Sequence, residues 1–432
     1  MRIVEETPAA PVLADRTACR RAGGTIRHPR AYCGDGRDVL LQGFHWDSHS
    51  GAPDPAGGGR KSWYRIVADN APLVRQAGFT WVWLPPPSDS LAPEGYLPRR
   101  WDCLDSTYGT EAELRQAIRA LGPVRAMADV VVNHRVGVAT SGSDFTDPAF
   151  PDNPAAIVAD DPSGAGRGRP GTGAELFHAA RNLDHTDSGV RAAVRGYLRR
   201  LRESGFAGFR YDFCKGFHGR FVGGYNAAVR PRLSVGEVFE TDVRRVADWV
   251  AATGGRSAAF DFPTRYRLYE AVCGNDFSGL ALTMRGRLRP AGLVGRRPGL
   301  AVTFLDNHDT EYRRDAEHRW AGDGTRHFPG RAADMGYAYL LTHPGIPCVF
   351  WPHYFDWGVA TRGRIDRLIE IRRRVGIHAR SRIEIRAADW GLYAAVVGDR
   401  LAVKLGTRDW SPGSGWRLEL DGEDMAVWTR DE

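Results

Sequence analysis

The sequence predicts an α/β protein: a (β/α)8 TIM barrel with a small excursion domain after the third strand and a C-terminal antiparallel β-sheet domain. Three observations predict it. Eight short apolar, β-prone runs recur along the chain. Helix-period stretches fill most of the gaps between them. After about residue 376 the pattern changes to alternating strands and turns, as in "SRIEIRAADWGLYAAVVGDRLAVKLG". Strand alternating with helix implies right-handed βαβ units and a parallel sheet. Eight such units suggest a closed barrel, with its site at the C-terminal strand ends.

Residues 1–37 are polar, rich in Arg, Gly and Pro, and weakly patterned, so they read as an N-terminal extension. The apolar runs are "VLLQGFHW" (39–46), "TWVWLPP" (80–86), "AMADVVV" (126–132), "AGFRYDF" (207–213), "LSVGEVF" (233–239), "AAFDFP" (258–263), "LAVTFLD" (300–306) and "IPCVFW" (346–351). A strand buried on both faces reads as such a continuous run. Helices are expected over 62–78, 110–122, 188–205, 241–252 and 331–342. The second of these has a Thr cap, an early Glu, spaced Leu114, Ile118 and Leu121, and a terminal Gly. One gap breaks the rhythm. About fifty residues rich in Gly, Pro, Ser and Asp separate "VVVNH" from the helix at 188, and a loop that long inside a compact domain is usually functional. The expected domains are a barrel over 38–134 and 183–375, an excursion domain over 135–182, and a β domain over 376–432.

The 432 residues are ample for a large core. The formal net charge is +7, and only three of the 59 basic residues are lysine (Lys61, Lys215, Lys404). The arginines are spread along the chain rather than massed with aromatics, so nucleic acid is not an expected partner. No run of about 18 apolar residues exists, so no membrane-spanning helix is expected. The first residues lack an apolar signal core. The compartment is therefore expected to be cytoplasmic as written, or exported if the true start lies elsewhere. Six cysteines form no metal-ligand spacing. Cys214 and Cys348 read as buried thiols, and Cys19 and Cys33 could pair. A monomer is expected.

Polar residues gather where the apolar runs end: Asp129, Asn133 and His134 at the third, Arg210 and Asp212 at the fourth, Glu237 at the fifth, and Asp306, Asn307, His308 and Asp309 at the seventh. A barrel puts all of these on one rim. An Asp after a strand is commonly a helix cap, but Glu237 sits in an apolar run. A lone buried carboxylate costs several kcal/mol unless paired or neutralised. Several carboxyls, two imidazoles and an arginine in one pocket fit glycosidic bond cleavage, which uses one carboxylate as nucleophile and one protonated carboxyl as acid. Arg210 lies two positions before Asp212, on the same face of the strand, and would orient it. Glu237 is flanked by apolar residues that would favour its protonated form.

Four segments, "DVVVNH" (129–134), "GFRYDF" (208–213), "GEVF" (236–239) and "FLDNHD" (304–309), occur in that order. Taken together they strongly resemble the four motif regions of the α-amylase family of glycoside hydrolases, over roughly residues 38–432. "QGFHWDS", "VWLPPPSDSLAPEGYLP", "YGTEAEL" and "GYAYLLTHPGIPCVFW" resemble plant-type α-amylases and the related bacterial maltooligosaccharide-forming amylases. The resemblance implies hydrolysis of α-1,4-glucosidic bonds in an α-glucan substrate by a retaining mechanism. It implies Asp212 as nucleophile, Glu237 as general acid/base and Asp309 as the third carboxylate. Tyr96, His134, Arg210, Lys215 and His308 are implied around the sugar. A calcium ion is implied at Asn133, Asn182, the Gly216 carbonyl and Asp160.

Two departures stand out. Phe239 replaces the usual Trp after "GEV", and Asn182 stands where a carboxylate ligand is usual. Two further readings remain: a transglycosylase of the same fold, and a non-catalytic glucan-binding relative. Product chromatography separates hydrolysis from transfer. Binding of starch without release of reducing ends would mark the third.

Overall fold

The computed structural model describes residue 32 and residues 34–54, 59–138, 142–311, 313–314, 320–321 and 327–431. Most of the expected N-terminal extension, and the Cys19–Cys33 pairing, lie outside the described residues.

Each of the eight apolar runs holds one barrel strand, the third starting one residue early: β1 (Leu40–Gln42), β2 (Trp81–Leu84), β3 (Arg125–Val130), β4 (Gly208–Tyr211), β5 (Leu233–Gly236), β6 (Ala258–Phe260), β7 (Ala301–Phe304) and β8 (Ile346–Phe350). They close in the cyclic order β1-β8-β7-β6-β5-β4-β3-β2, and every neighbouring pair is parallel. Both faces of each strand are covered. On β2, Trp81 and Trp83 are separated by a single residue and are fully buried along with Val82.

Helices α1 (Trp63–Ala77), α2 (Glu111–Ala120), α3 (Ser188–Glu203), α4 (Arg220–Val229), α5 (Val243–Ala252), α6 (Phe262–Gly274), α7 (Leu293–Arg296), α8 (Gly330–Thr342) and α9 (Val359–Val375) accompany the strands. Their ends follow local chemistry. The Ser62 hydroxyl accepts the Arg65 N–H, and Gly78 ends α1 at φ 91°, a left-handed position that favours glycine. Thr110 and Glu113 form a reciprocal capping box on α2. The run "AAFDFP" splits: its strand ends at Phe260, and Asp261 caps α6 by accepting the Thr264 N–H. The same carboxylate accepts the Leu293 and Val294 N–H groups, so it pins two helix starts at once.

Among its described residues, the 135–182 segment has little regular structure. His134–Arg135 pairs antiparallel with Arg181–Asn182 at its base. At the C-terminus, β9 (Ile383–Asp389), β10 (Leu392–Val397), β11 (Leu401–Leu405), β12 (Arg417–Gly422) and β13 (Met425–Thr429) form an antiparallel sheet of order β9-β10-β11-β13-β12. Cys214 and Cys348 are buried free thiols, as expected, and Cys103 and Cys273 are also free. Among the described residues, no helix is long and apolar enough to cross a membrane.

Candidate active site

Strand register builds the centre. Arg210 on β4 stands opposite Asp129 on β3, and paired residues of parallel strands share a face. The ladder continues one step past two strand ends: the Asp212 N–H donates to Val130 O at 3.0 Å, and the Glu237 N–H to Tyr211 O at 2.9 Å. Both carboxyls are thereby fixed at one rim. Gly236, beside Glu237, makes room for the Trp249 ring of α5, because a Cβ there would lie 2.1 Å from it.

Arg210 is the hub. Its Nη1 donates to Asp129 Oδ1 at 2.8 Å and to Asp212 Oδ1 at 2.7 Å. Its Nη2 donates to Glu237 Oε1. Its side chain is fully buried, and its guanidinium lies 5.0 Å from the centre of the Trp83 ring. An isolated buried charge costs several kcal/mol, and here three carboxyls offset that cost. One cation does not balance three carboxylates, so a proton is favoured on one of them. Burial drives the Glu237 pKa well above the usual Glu value, against the pull of Arg210, and the charges of Asp212 and Asp309 push the same way. Asp129 is raised to about 7, burial again being the largest cause. Its Oδ2 accepts from Trp83 Nε1 at 3.1 Å and from the Tyr96 hydroxyl at 3.0 Å.

The seventh strand supplies the opposite wall. Asn307 Oδ1 accepts the N–H groups of Asp309 and Thr310, and this turn presents Asp309 outward. Its side chain is about one-third exposed (34%), and its Oδ2 lies 3.3 Å from His308 Nε2. Gln42 Nε2 lies 3.0 Å from His308 Nδ1. With Gln42 donating, the imidazole proton sits on Nε2, facing Asp309. The His308 ring is parallel to Tyr96 at 5.1 Å and to Trp46 at 6.2 Å. Asp306, three residues before Asp309, faces elsewhere. It is buried and accepts from Arg265 Nη2 at 2.8 Å, the Phe328 N–H at 2.9 Å and Thr310 Oγ1 at 3.2 Å.

The other expected sugar contacts are placed differently. His134 is fully buried, and burial holds its imidazole below the ordinary value, hence neutral. Its Nε2 meets Tyr96 O at 2.8 Å, its Nδ1 meets Asn133 Nδ2 at 3.2 Å, and its ring stacks on Phe177 at 3.8 Å. In this arrangement His134 supports Tyr96 rather than projecting into the open. Lys215 sits at the rim, and its Nζ donates to Glu175 Oε1 at 2.6 Å. Phe239 is 37% exposed and packs on Phe262 at 4.3 Å.

Sequence reasoning placed Asp129 on the rim without a role of its own and gave none to Trp83, Gln42 or Phe177. Asp129 in "MADVVV" and Gln42 in "VLLQGF" carried the same signal as Glu237, a polar group inside an apolar run. Phe177 lies in irregular backbone, where periodicity says nothing about neighbours.

The expected calcium ligands are only partly assembled. Asn133 Nδ2 donates to Asn182 Oδ1 at 3.2 Å. Gly216 lies against Asn133, whose Oδ1 is 2.0 Å from where a Gly216 Cβ would be. Asp160 is a correction: it is exposed, and its Oδ1 accepts the Gly171 N–H. The carboxylate that meets Asn182 is the next residue, Asp161, which is already paired with Arg181 at 3.2 Å. Among the described residues, no group of three or more His, Cys, Asp or Glu is placed to hold a metal. Two amides and one carboxylate neutralised by a guanidinium do not fit a cation that seeks about six to eight oxygens, with carboxylates among them.

A barrel rim that holds a carboxyl whose pKa burial raises, a second carboxyl on the same guanidinium and a third across the mouth defines an enzyme built to cleave glycosidic bonds. Comparison with known proteins narrows the class. Residues 374–429 match the family model described as the alpha-amylase C-terminal beta-sheet domain. The chain is 40% identical over 417 residues to Probable alpha-amylase 2 of Arabidopsis thaliana, covering 91% of this chain and 94% of that protein. It is 30% identical to Glucan 1,4-alpha-maltotetraohydrolase of Roseateles saccharophilus, over 93% of this chain and 72% of that one. It is 34% identical to Alpha-amylase 3, chloroplastic, of Arabidopsis thaliana, but spans only 44% of that longer protein. The crystal structure of an Anoxybacillus alpha-amylase has the same fold, with a TM-score of 0.65 at 17% identity, covering 92% of this chain and 99% of that one. The chain belongs to the α-amylase family of glycoside hydrolases.

Proposed function

We propose that the protein hydrolyses α-1,4-glucosidic bonds of starch and maltooligosaccharides by a retaining double displacement. The observation that carries this reading is Arg210, whose two terminal nitrogens hold Asp212 and Glu237 side by side. Carboxyls held that close, about 5–5.5 Å apart in retaining enzymes, leave no room for a water between acid and base. Asp212 attacks the anomeric carbon while Glu237 gives its proton to the departing glycosidic oxygen. Glu237, now a carboxylate, then takes a proton from water, which displaces Asp212. Asp309 and the Nε2–H of His308 face the same space and bond the sugar hydroxyls. These contacts favour the oxocarbenium-like state when they tighten there. Tyr96 offers its ring as a stacking surface.

The test is reducing-end release from soluble starch, followed by proton NMR of the first-formed product. The α-anomer is expected. A β-anomer at early times overturns Asp212 as nucleophile. Chains longer than the starting maltooligosaccharide would move the protein to transglycosylation.

A further inference from the structure

We propose that the junction between the barrel and the 135–182 segment is closed by Arg181 and Asn182 in place of a metal ion, so that this protein folds and works without calcium.

The Asn182 carboxamide is fully used. Its Oδ1 accepts from the Phe177 N–H at 2.8 Å and from Asn133 Nδ2 at 3.2 Å. Its Nδ2 donates to Phe177 O at 2.7 Å and to Asp161 Oδ1 at 2.8 Å. A backbone N–H can only donate and a carbonyl can only accept, so Phe177 sets the orientation of this amide. An aspartate of the same shape would turn an oxygen toward Phe177 O and another carboxylate. Such a site needs a cation between its oxygens, and the amide removes that need.

Asp161 is equally complete. Its side chain is fully buried, beside an Arg181 side chain that is 12% exposed. Oδ1 also accepts the Asn182 N–H at 2.8 Å. Oδ2 accepts the Ser163 N–H at 3.1 Å, the Ser163 hydroxyl and Arg181 Nη1. A buried carboxylate needs a counter-charge, and the guanidinium supplies it from within the chain. A divalent cation entering here would displace these donors and meet the Arg181 charge.

Position makes the substitution matter. Arg181 and Asn182 pair with Arg135 and His134, and the Leu183 N–H donates to Asn133 O at 2.9 Å. His134 in turn meets Tyr96 O. The network therefore braces the wall of the candidate active site.

The experiment is thermal unfolding of the purified full chain after exhaustive EGTA treatment, with and without millimolar Ca²⁺, beside elemental analysis. A ligand that binds only the folded state raises Tm by mass action. The expected result is a Tm unchanged by chelator or Ca²⁺, and less than stoichiometric calcium. A Tm that falls in EGTA and recovers with Ca²⁺, or one tightly held calcium per chain, overturns the proposal. Two variants test the cause. Arg181→Gln should lower Tm in EGTA and in Ca²⁺ buffers without chelator. A Tm equal to that of the parent would show that the guanidinium replaces nothing. Asn182→Asp should lower Tm in EGTA and make it rise with Ca²⁺. If that variant folds but ignores calcium, the amide is not the switch.

Discussion

Arg210 lies on β4 and Asp212 one residue past its end, two positions on, and Arg210 Nη1 stands 2.7 Å from Asp212 Oδ1. The same guanidinium reaches Asp129 and Glu237. A planar fork can serve three carboxyls at once, whereas an ammonium cannot keep that geometry. Arg210→Lys should therefore misplace Asp212 and Glu237 together. We expect kcat on soluble starch to fall at least ~100-fold, about 2.7 kcal/mol in barrier. Near-parental turnover in a folded Arg210→Lys protein would show that the fork is not needed.

Glu237 links pH to both activity and stability. Its pKa is raised, chiefly by burial, so the folded state holds a proton that the unfolded chain releases above about pH 4.3. Stability then falls as pH rises from that value toward the folded pKa. Glu237→Gln cannot titrate. The Tm of the variant minus that of the parent should become more positive from pH 5 to pH 8, while turnover is lost and glucan binding stays. Unfolding scans at four or five pH values check the trend. A difference that shrinks with rising pH contradicts a buried, protonated Glu237.

The C-terminal sheet is tied to the barrel through Glu419 on β12. Its side chain is 3% exposed and meets Arg374 at 2.9 Å, with Arg367 of the same helix, α9, on its other oxygen. Arg417 at 2.7 Å and the Thr429 hydroxyl complete the site. Burial opposes ionisation, but these donors pull the pKa down to about 2. Glu419→Gln should cost about 2 kcal/mol at pH 7, the range for hydrogen bonds to a charged group. Because the folded pKa is depressed, that stabilisation is present above about pH 4.3 and is lost as pH falls toward 2. Urea unfolding at pH 7 and pH 3.5 should show the gap narrowing in acid. A constant gap would mean that the charge of Glu419 contributes nothing.

The barrel was legible because strands buried on both faces leave apolar runs, and polar residues at their ends share one rim. Helix α4 was not, since "RFVGGYNAAV" carries two glycines and its Gly219 cap offers no side chain. Helix α6 was not legible either, since its first two residues, Phe262 and Pro263, close an apolar run that Asp261 cuts in two. Asp212 and Glu237 were readable as polar groups breaking apolar runs. Asp160 was mistaken for Asp161 because the excursion segment has no period to say which of two adjacent acids faces inward. The Arg181 partner came from a contact across 20 residues, which no local pattern encodes.

Asp306 and Asp309 share one motif and stand in different surroundings. Asp306 is buried between Arg265, Thr310 and the Phe328 N–H, with His353 Nε2 3.5 Å from its Oδ2. The pull of His353 and Arg265 holds its pKa below the usual Asp value despite burial. Asp309 is turned outward by Asn307 toward His308 and the mouth of the barrel. A group that binds the sugar more tightly in the transition state lowers kcat when removed, not merely affinity. Asp309→Asn should thus cut kcat at least ~100-fold with little change in Tm. Asp306→Asn leaves the buried Arg265 without its full partner, a loss of about 3–5 kcal/mol when a buried pair is broken. It should lower Tm strongly while the folded fraction keeps most of its turnover. Steady-state kinetics and unfolding on the two variants, normalised to folded protein, separate these roles. If Asp306→Asn abolishes turnover in a stable protein while Asp309→Asn stays near parental, the carboxylate that serves the sugar is the buried one, and the assignment of the seventh strand end is wrong.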